Sequence, residues 1–147
     1  MEQRFRITRK IELDAAHRVS SHGSKCRHVH GHRYTVEATC EGELITGGEQ
    51  AGMVFDFGFL KGFMMDRIHE PADHAMIAWM HDPLLKRFAD CCGKLLVVPY
   101  IPTAENLARY WYDQLVDDVD RALGSSGRLV SVRVYETPNC WADYPIL

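Results

Sequence analysis

Residues 26–40 read CRHVHGHRYTVEATC. The first seven hold one cysteine and three histidines, and a two-residue alternation follows at once. From His32 onward, Tyr34, Val36, Ala38 and Cys40 fall on one side, and Arg33, Thr35, Glu37 and Thr39 on the other. Successive side chains of a strand point to opposite faces, so this is a strand with one apolar and one polar face. Upstream, RFRITRKIEL at 4–13 alternates in the same way: Phe5, Ile7, Ile11 and Leu13 share a face, with Arg9 the polar exception. Two such strands, separated by a loop over 15–31 that carries Gly, Ser and His, predict an antiparallel pair.

Outward from this pair, EGELITGGEQAG is a Gly-rich turn region, and MVF at 53–55 reads as a short extension of the sheet. Asp56 is placed to cap a helix over roughly 58–69. Asp82-Pro83 opens a helix over about 83–92. Thr103 is the N-cap of a long helix running to about Leu123. The apolar stripe of that helix is Ala104, Leu107, Ala108, Trp111, Leu115 and Val119, and Asp113, Asp117, Asp118 and Asp120 form its wet side. GSSG ends it, RLVSVRVYE at 128–136 is a strand, and CWADYPI at 140–146 the last one. Strands at both ends with helices between them, in the order ββααββ, predict one α+β domain over 1–147. Its small antiparallel sheet carries helices on one face. Such a sheet has open edges, and pairing between copies is one way to close them.

The 147 residues suffice for one domain, and 46% hydrophobic with 25% charged residues is ordinary globular composition. A net charge of −3 argues against a nucleic-acid binder or a polybasic membrane binder. No apolar run approaches the roughly 18 residues of a membrane span, and MEQRFRITRK lacks an apolar signal core. The expectation is a cytoplasmic protein. Five cysteines, an odd number, argue against a disulfide framework. Cys40, Cys91, Cys92 and Cys140 are read as structural thiols.

His30 and His32 are two apart, so in an extended chain both imidazoles point to one side and can grip one metal ion. His17, after the first strand, sits beside them if the strands form a hairpin. Three neutral histidines suit zinc and leave a fourth position open, as in catalytic sites. Two other readings stay open at this point. His22 and His28 are alternative ligands, and Cys26 could close a Cys-His₃ structural site.

Six segments then occur in one order: AAH at 15–17, Cys-x-x-x-His-Gly-His at 26–32, MVFDFGFLK at 53–61, Asp-His at 73–74, PTAENLA at 102–108 and VYET at 134–137. Together they resemble the 6-pyruvoyltetrahydropterin synthase family, and most closely its bacterial branch, which forms 6-carboxy-5,6,7,8-tetrahydropterin for queuosine synthesis. The resemblance implies a T-fold: a four-stranded antiparallel sheet with two long helices packed on one face. It implies a homohexamer of two stacked trimers with active sites at subunit interfaces. By resemblance, His17, His30 and His32 hold Zn²⁺, Cys26 is the proton acceptor, and Asp73 and His74 activate it. Glu105 and Glu136 match the acids that hold the pterin. The implied substrate is 7,8-dihydroneopterin triphosphate, with no nucleic-acid or membrane partner.

The chemistry agrees residue by residue. Catalysis by a thiol needs some thiolate, and a histidine oriented by a carboxylate can take its proton. Glu136 falls on the strand face of Val130, Val132 and Val134, where an ionised carboxylate is costly unless paired. A pterin presents an amino group and a ring N–H side by side, and a carboxylate accepts both. Glu105 lies in a first helical turn, where the dipole alone favours an acid by about 0.3–1 kcal/mol. Lys25, Arg27 and His28 flank Cys26 and are the candidate triphosphate contacts.

Ala72 stands where the family usually has a larger aliphatic residue before Asp-His. Three residues separate Cys26 from His30, the short spacing of the carboxy-forming branch; animal-type enzymes carry a longer insert. The rivals are the pyruvoyl branch, which eliminates triphosphate but keeps the three-carbon side chain, and a non-catalytic zinc-binding module.

Overall fold

The computed structural model describes residues 3–146. Strand β1 (Phe5–His17) pairs antiparallel with β2 (His30–Gly42) through thirteen consecutive positions, from Phe5 opposite Gly42 to His17 opposite His30. Both strands run further into the connecting segment than the alternation alone predicts. The loop between them shrinks to residues 18–29, with one 3₁₀ turn at Lys25–Arg27.

Asp56 caps helix α1 (Phe57–Met64), its carboxylate accepting the Gly58 amide at 2.6 Å. The helical path continues through a π turn (Met65–His69) into the short α2 (Glu70–Ala72). Strand β3 (Met76–Trp79), helix α3 (Leu85–Cys91) and strand β4 (Leu95–Val98) follow. Thr103 caps helix α4 (Ala104–Leu123), accepting the Asn106 amide at 3.2 Å. A second hairpin, β5 (Gly127–Thr137) with β6 (Cys140–Tyr144), closes the chain.

Among the described residues the sheet has six strands in the order β4-β3-β1-β2-β5-β6, where four were expected. The extra pair, β3 and β4, is parallel to β1 and to each other, so the sheet is mixed. MIAW and LLVV are short continuous apolar runs without alternation. That is the pattern of strands covered on both sides, and it does not distinguish them from helix segments. Met53–Phe55 forms no strand; Val54 and Phe55 are simply buried in an irregular segment.

The main core lies between one sheet face and helices α1 and α4. Leu13, Tyr34, Val36, Ala38, Val132 and Val134 meet Leu60, Leu107, Trp111, Leu115 and Val119 there. Each such fully buried aliphatic side chain contributes about 1.5–3 kcal/mol. Helix α3 departs from the one-sided expectation. Its Phe88 packs with Met76 and Ala78 and against Ala16, a second small cluster on the opposite face of the sheet. The two long helices expected are α4, of 20 residues, and the continuous path Phe57–Ala72, which the π turn interrupts.

A register shift between Thr39 and Cys40 sets Leu129 opposite Cys40 and Ser131 opposite Thr39. The bulge turns Val130 away from the core and puts Leu129 in its place, which corrects the face assigned to Val130 from the sequence. Val132, Val134 and Glu136 keep the expected face. Where β2 ends and β5 begins, the two backbones touch. A Cβ on Gly127 would lie 2.5 Å from the Glu41 carbonyl oxygen, and one on Gly42 2.6 Å from that of Ser126.

Candidate metal centre

The β1–β2 register brings the three histidines together. His17 is the last residue of β1 and pairs with His30, the first of β2; Ala15 pairs with His32. Cross-strand partners share a face, so all three imidazoles stand on the face that continues into Leu13, Tyr34 and the core. Their ring centroids are 4.6–5.1 Å apart. Their candidate ligand nitrogens all lie within 4.8 Å of one another.

Two main-chain carbonyls set the ring orientations. The Pro102 oxygen lies 2.7 Å from His17 Nδ1, and the His28 oxygen 2.7 Å from His30 Nδ1. A carbonyl can only accept, so each Nδ1 carries the proton and each Nε2 presents a lone pair. Those two Nε2 atoms face each other at 3.1 Å. His32 Nε2 is buried and has no hydrogen-bond partner. Three converging nitrogens, two of them oriented by backbone acceptors, are a donor set for a borderline metal ion such as zinc. Glu136 supplies the negative charge, with Oε1 4.0 Å from His17 Nε2 and Oε2 3.9 Å from His32 Nε2.

Burial, aided by the neighbouring imidazoles, depresses the His17 pKa from 6.5 to about 4 against the opposing pull of the Pro102 carbonyl. Burial also lowers that of His32, with Glu136 opposing. Both effects favour the neutral, metal-binding form. Tyr34 forms the floor, its ring edge-on to His17 and His32 and to Trp111 below. Burial pushes the Tyr34 phenol far above its ordinary range, so it stays neutral.

Cys26 occupies the 3₁₀ turn, half-buried, and its carbonyl accepts the Val19 amide at 2.8 Å. Asp73 and His74 follow α2. One carboxylate oxygen of Asp73 accepts the Asp14 amide at 2.9 Å, and the other lies 3.6 Å from His74 Nε2 and 3.7 Å from His69 Nε2. His74 holds φ +63°, a left-handed backbone uncommon outside glycine, with its amide donating to the Asp14 carbonyl at 2.6 Å. Strain of this kind gathers at functional sites.

Among the described residues, no hydrogen bond or ion pair joins Asp73 or His74 to Cys26 or to the imidazoles of His17, His30 and His32. His74 borders a cleft of about 520 Å³ together with Asp14, Ala16, Gly31, Arg33 and Cys92. Asp14, Ala16, Gly31 and Arg33 alternate with the inward-facing residues of β1 and β2, so this cleft lies mainly on the outer sheet face, with Ala15 and His32 also in its lining.

The sequence model for 6-pyruvoyl tetrahydropterin synthase matches residues 6–146. The chain belongs to the 6-pyruvoyl tetrahydropterin synthase family. It is 33% identical over 141 residues to the 6-carboxy-5,6,7,8-tetrahydropterin synthase of Rickettsia felis, covering 95% of this chain and 99% of that one. Its fold, the family's T-fold, superposes on an uncharacterized protein from Wolinella succinogenes with a TM-score of 0.80 at 26% identity, covering 97% and 98% of the two chains. The 6-pyruvoyl tetrahydropterin synthase of Plasmodium vivax shares the fold at a TM-score of 0.75 and 20% identity, with 97% of each chain covered.

The other residues singled out from the sequence are less engaged in this member of the synthase family. Glu105 is exposed in the first turn of α4 and makes no ion pair among the described residues. Lys25, Arg27 and His28 are exposed; the Arg27 guanidinium folds back onto the Gly23 and Ser24 carbonyls at 3.4 and 3.3 Å. His28 serves the cluster through its carbonyl. His22 caps its own turn, its Nδ1 accepting the Ser24 amide at 2.9 Å. Sequence reading missed Pro102 and Tyr34 as parts of the cluster. It also missed the nearly buried ion pair between Arg18 and Asp82, where hydrogen bonding to the guanidinium holds the Asp82 carboxyl below the usual carboxylate range.

Proposed function

We propose that this chain is a zinc-dependent carbon–carbon lyase. It converts 7,8-dihydroneopterin triphosphate and water into 6-carboxy-5,6,7,8-tetrahydropterin, acetaldehyde and triphosphate, a product that feeds 7-deazapurine synthesis. The observation that carries this reading is the convergence of His17, His30 and His32 beside Glu136, in a chain similar to a synthase that bears this product's name.

His17, His30 and His32 would hold the zinc, and His17 and His30 have Nε2 free for it because each has Nδ1 committed to a carbonyl. When bound, zinc supplies Lewis acidity to the two hydroxyls of the substrate side chain. Glu136 is the carboxylate on the sheet face nearest the cluster, suited to accept the pterin amino group and ring N–H together. Glu105, on the first turn after Pro102, is the second acid available to the pterin. Cys26 takes a proton from the substrate side chain, His74 relieves the thiol of its own, and Asp73 orients His74. Lys25 and Arg27 offer exposed positive charge for triphosphate, with the His28 imidazole beside them as a hydrogen-bonding group.

Asp73 and His74 open on the face away from the imidazoles, so this proton path is completed by a neighbouring copy of the chain. A homohexamer of two stacked trimers supplies such neighbours.

The test is incubation of zinc-loaded protein with 7,8-dihydroneopterin triphosphate without oxygen, followed by assay of acetaldehyde and the product mass. Acetaldehyde with a carboxypterin is the expected result. Triphosphate without acetaldehyde would assign the pyruvoyl reaction. No product from an assembled, zinc-bearing protein would overturn the proposal. Cys26→Ala should keep its zinc and lose turnover; loss of zinc would make Cys26 a ligand of a closed structural site.

A further inference from the structure

Arg18 directly follows His17, and its guanidinium makes three bonds. Nε donates to Asp82 Oδ2 at 2.8 Å, Nη2 to Asp82 Oδ1 at 2.7 Å, and Nη1 to the Arg27 carbonyl at 3.1 Å. The two side chains are only 13% and 2% exposed. An ion pair this buried adds little net stability, since desolvation offsets its attraction. What a planar, five-donor fork gives instead is direction.

Asp82 is fixed from its own side. Its amide donates to the Trp79 carbonyl at 3.0 Å, and its Oδ1 also accepts the Leu84 amide at 2.8 Å. The anchor is therefore the end of β3. The object it holds is the turn that carries Cys26. Arg18 grips the Arg27–His28 peptide through the Arg27 carbonyl, and the Val19 amide takes the peptide after Cys26, donating to the Cys26 carbonyl at 2.8 Å. One residue further on, the His28 amide closes the turn on the Lys25 carbonyl at 3.0 Å, and the His28 carbonyl orients the His30 ring. A single chain of contacts thus runs from β3, through Arg18 and the Cys26 turn, to the imidazole cluster.

We infer that Arg18 and Asp82 are a positioning pair that fixes the Cys26 turn against the histidine cluster. The inference rests on the reading of Cys26 as the proton-transfer thiol. Neither residue touches substrate; both act through the turn. Misplacement of a reacting group by about 1 Å can cost about 10²-fold in rate. Arg18→Lys keeps the charge but loses the fork, and Asp82→Asn keeps the shape but loses the charge.

The experiment compares both variants with the unaltered, zinc-loaded protein. It measures zinc content, kcat, KM and the pH dependence of iodoacetamide alkylation at Cys26. Alkylation is read by peptide mass, because Cys91, Cys92 and Cys140 also react. Both variants should retain zinc and keep KM within about twofold while kcat falls about 10²-fold. The pH profile of Cys26 alkylation should shift in both. Melting temperatures that fall while kcat and the alkylation profile stay unchanged would make the pair a mere loop tether and overturn the inference.

Hydrogen exchange on the unaltered protein gives a decision even if both variants misfold. The Val19 and His28 amides should exchange far more slowly than an open loop, and free exchange there would overturn the inference. If the unaltered protein fails to turn over the pterin, the lyase reading falls, while alkylation and exchange still decide whether the pair orders Cys26.

Discussion

The Nε2 atoms of His17 and His30 face each other at 3.1 Å, each on a ring whose Nδ1 donates to a backbone carbonyl. Two lone pairs at that distance repel unless a cation sits between them and draws on both. Zinc should therefore stabilise the folded chain by mass action. Chelation should lower the melting temperature, and added zinc should restore it. His32→Ala should bind less zinc per chain by atomic absorption and show a smaller rise on zinc addition. An equal response in His32→Ala and the unaltered protein would remove His32 from the donor set.

The acid stability of the metal-free protein follows from the same ring. His17 is neutral in the folded state down to about pH 4, whereas the unfolded residue takes up a proton near 6.5. Between those values the unfolded chain binds more protons, so stability falls as the pH drops through this window and levels off below it. The full span corresponds to about 3 kcal/mol. His30, His32, Glu136 and Tyr34 surround the ring, and of these only Glu136 favours its protonation. Urea unfolding at a series of pH values, in the presence of a chelator, should show this slope, and His17→Gln should flatten it. An unchanged slope in His17→Gln would assign the acid sensitivity elsewhere.

His74 is held at φ +63° by its place between Asp73 and β1. An alanine there keeps the left-handed strain, and a glycine relieves it. His74→Gly should accordingly be more stable than His74→Ala by about 0.5–1 kcal/mol, and both should lose turnover. Denaturation midpoints settle the order. A glycine variant no more stable than the alanine variant would mean that the backbone at this position carries no strain.

Much of this site is legible in sequence because it depends on alternation. The two-residue periods of 4–13 and 32–40 fix which side chains share a face, and a hairpin then brings His17 to His30 and His32 without further information. The same logic places Glu136 beyond Val132 and Val134. It fails at Val130, because a bulge inserts one residue and shifts the face, and no local pattern announces it. Strands β3 and β4 are hidden for another reason: apolar runs of four residues carry no period. The Arg18–Asp82 pair spans sixty-four positions. Nothing in the spacing of charges foretells a contact that forms only when β3 docks beside β1. The separation of Asp73 and His74 from the imidazoles also waits on the sheet, because motifs give order along the chain but not the face on which they emerge.

The close approach of Gly42 and Gly127 makes the far end of the β2–β5 ladder sensitive to a single methyl group. Gly127 has an extended backbone at φ −169°, so any cost of substitution is steric rather than conformational. A Cβ there would meet the Glu41 carbonyl at 2.5 Å, which only a backbone shift relieves. Gly127→Ala should destabilise the fold by about 1–3 kcal/mol, measured by denaturant unfolding. It should do so with little change in zinc affinity, since the cluster lies at the opposite end of β2. A neutral substitution would show that the two strands separate there without cost.

The division of the site between two sheet faces has a consequence that mixing can test. Cys26→Ala and His74→Ala should each be inactive as pure assemblies. If a site takes Cys26 from one copy and Asp73–His74 from a neighbour, an assembly of both variants contains sites in which the two intact residues meet. With equal proportions and random association, about a quarter of the sites are whole. If both residues act within one chain, every site in the mixture is defective and activity stays at zero. Co-expression with two different affinity tags, followed by sequential purification, isolates assemblies that hold both variants. Turnover near a quarter of the unaltered rate per chain would establish sharing between copies. A purified mixed assembly that binds zinc but shows no recovery would return the proton path to a single chain and require Asp73 and His74 to reach Cys26 by a movement of the loop at 18–29.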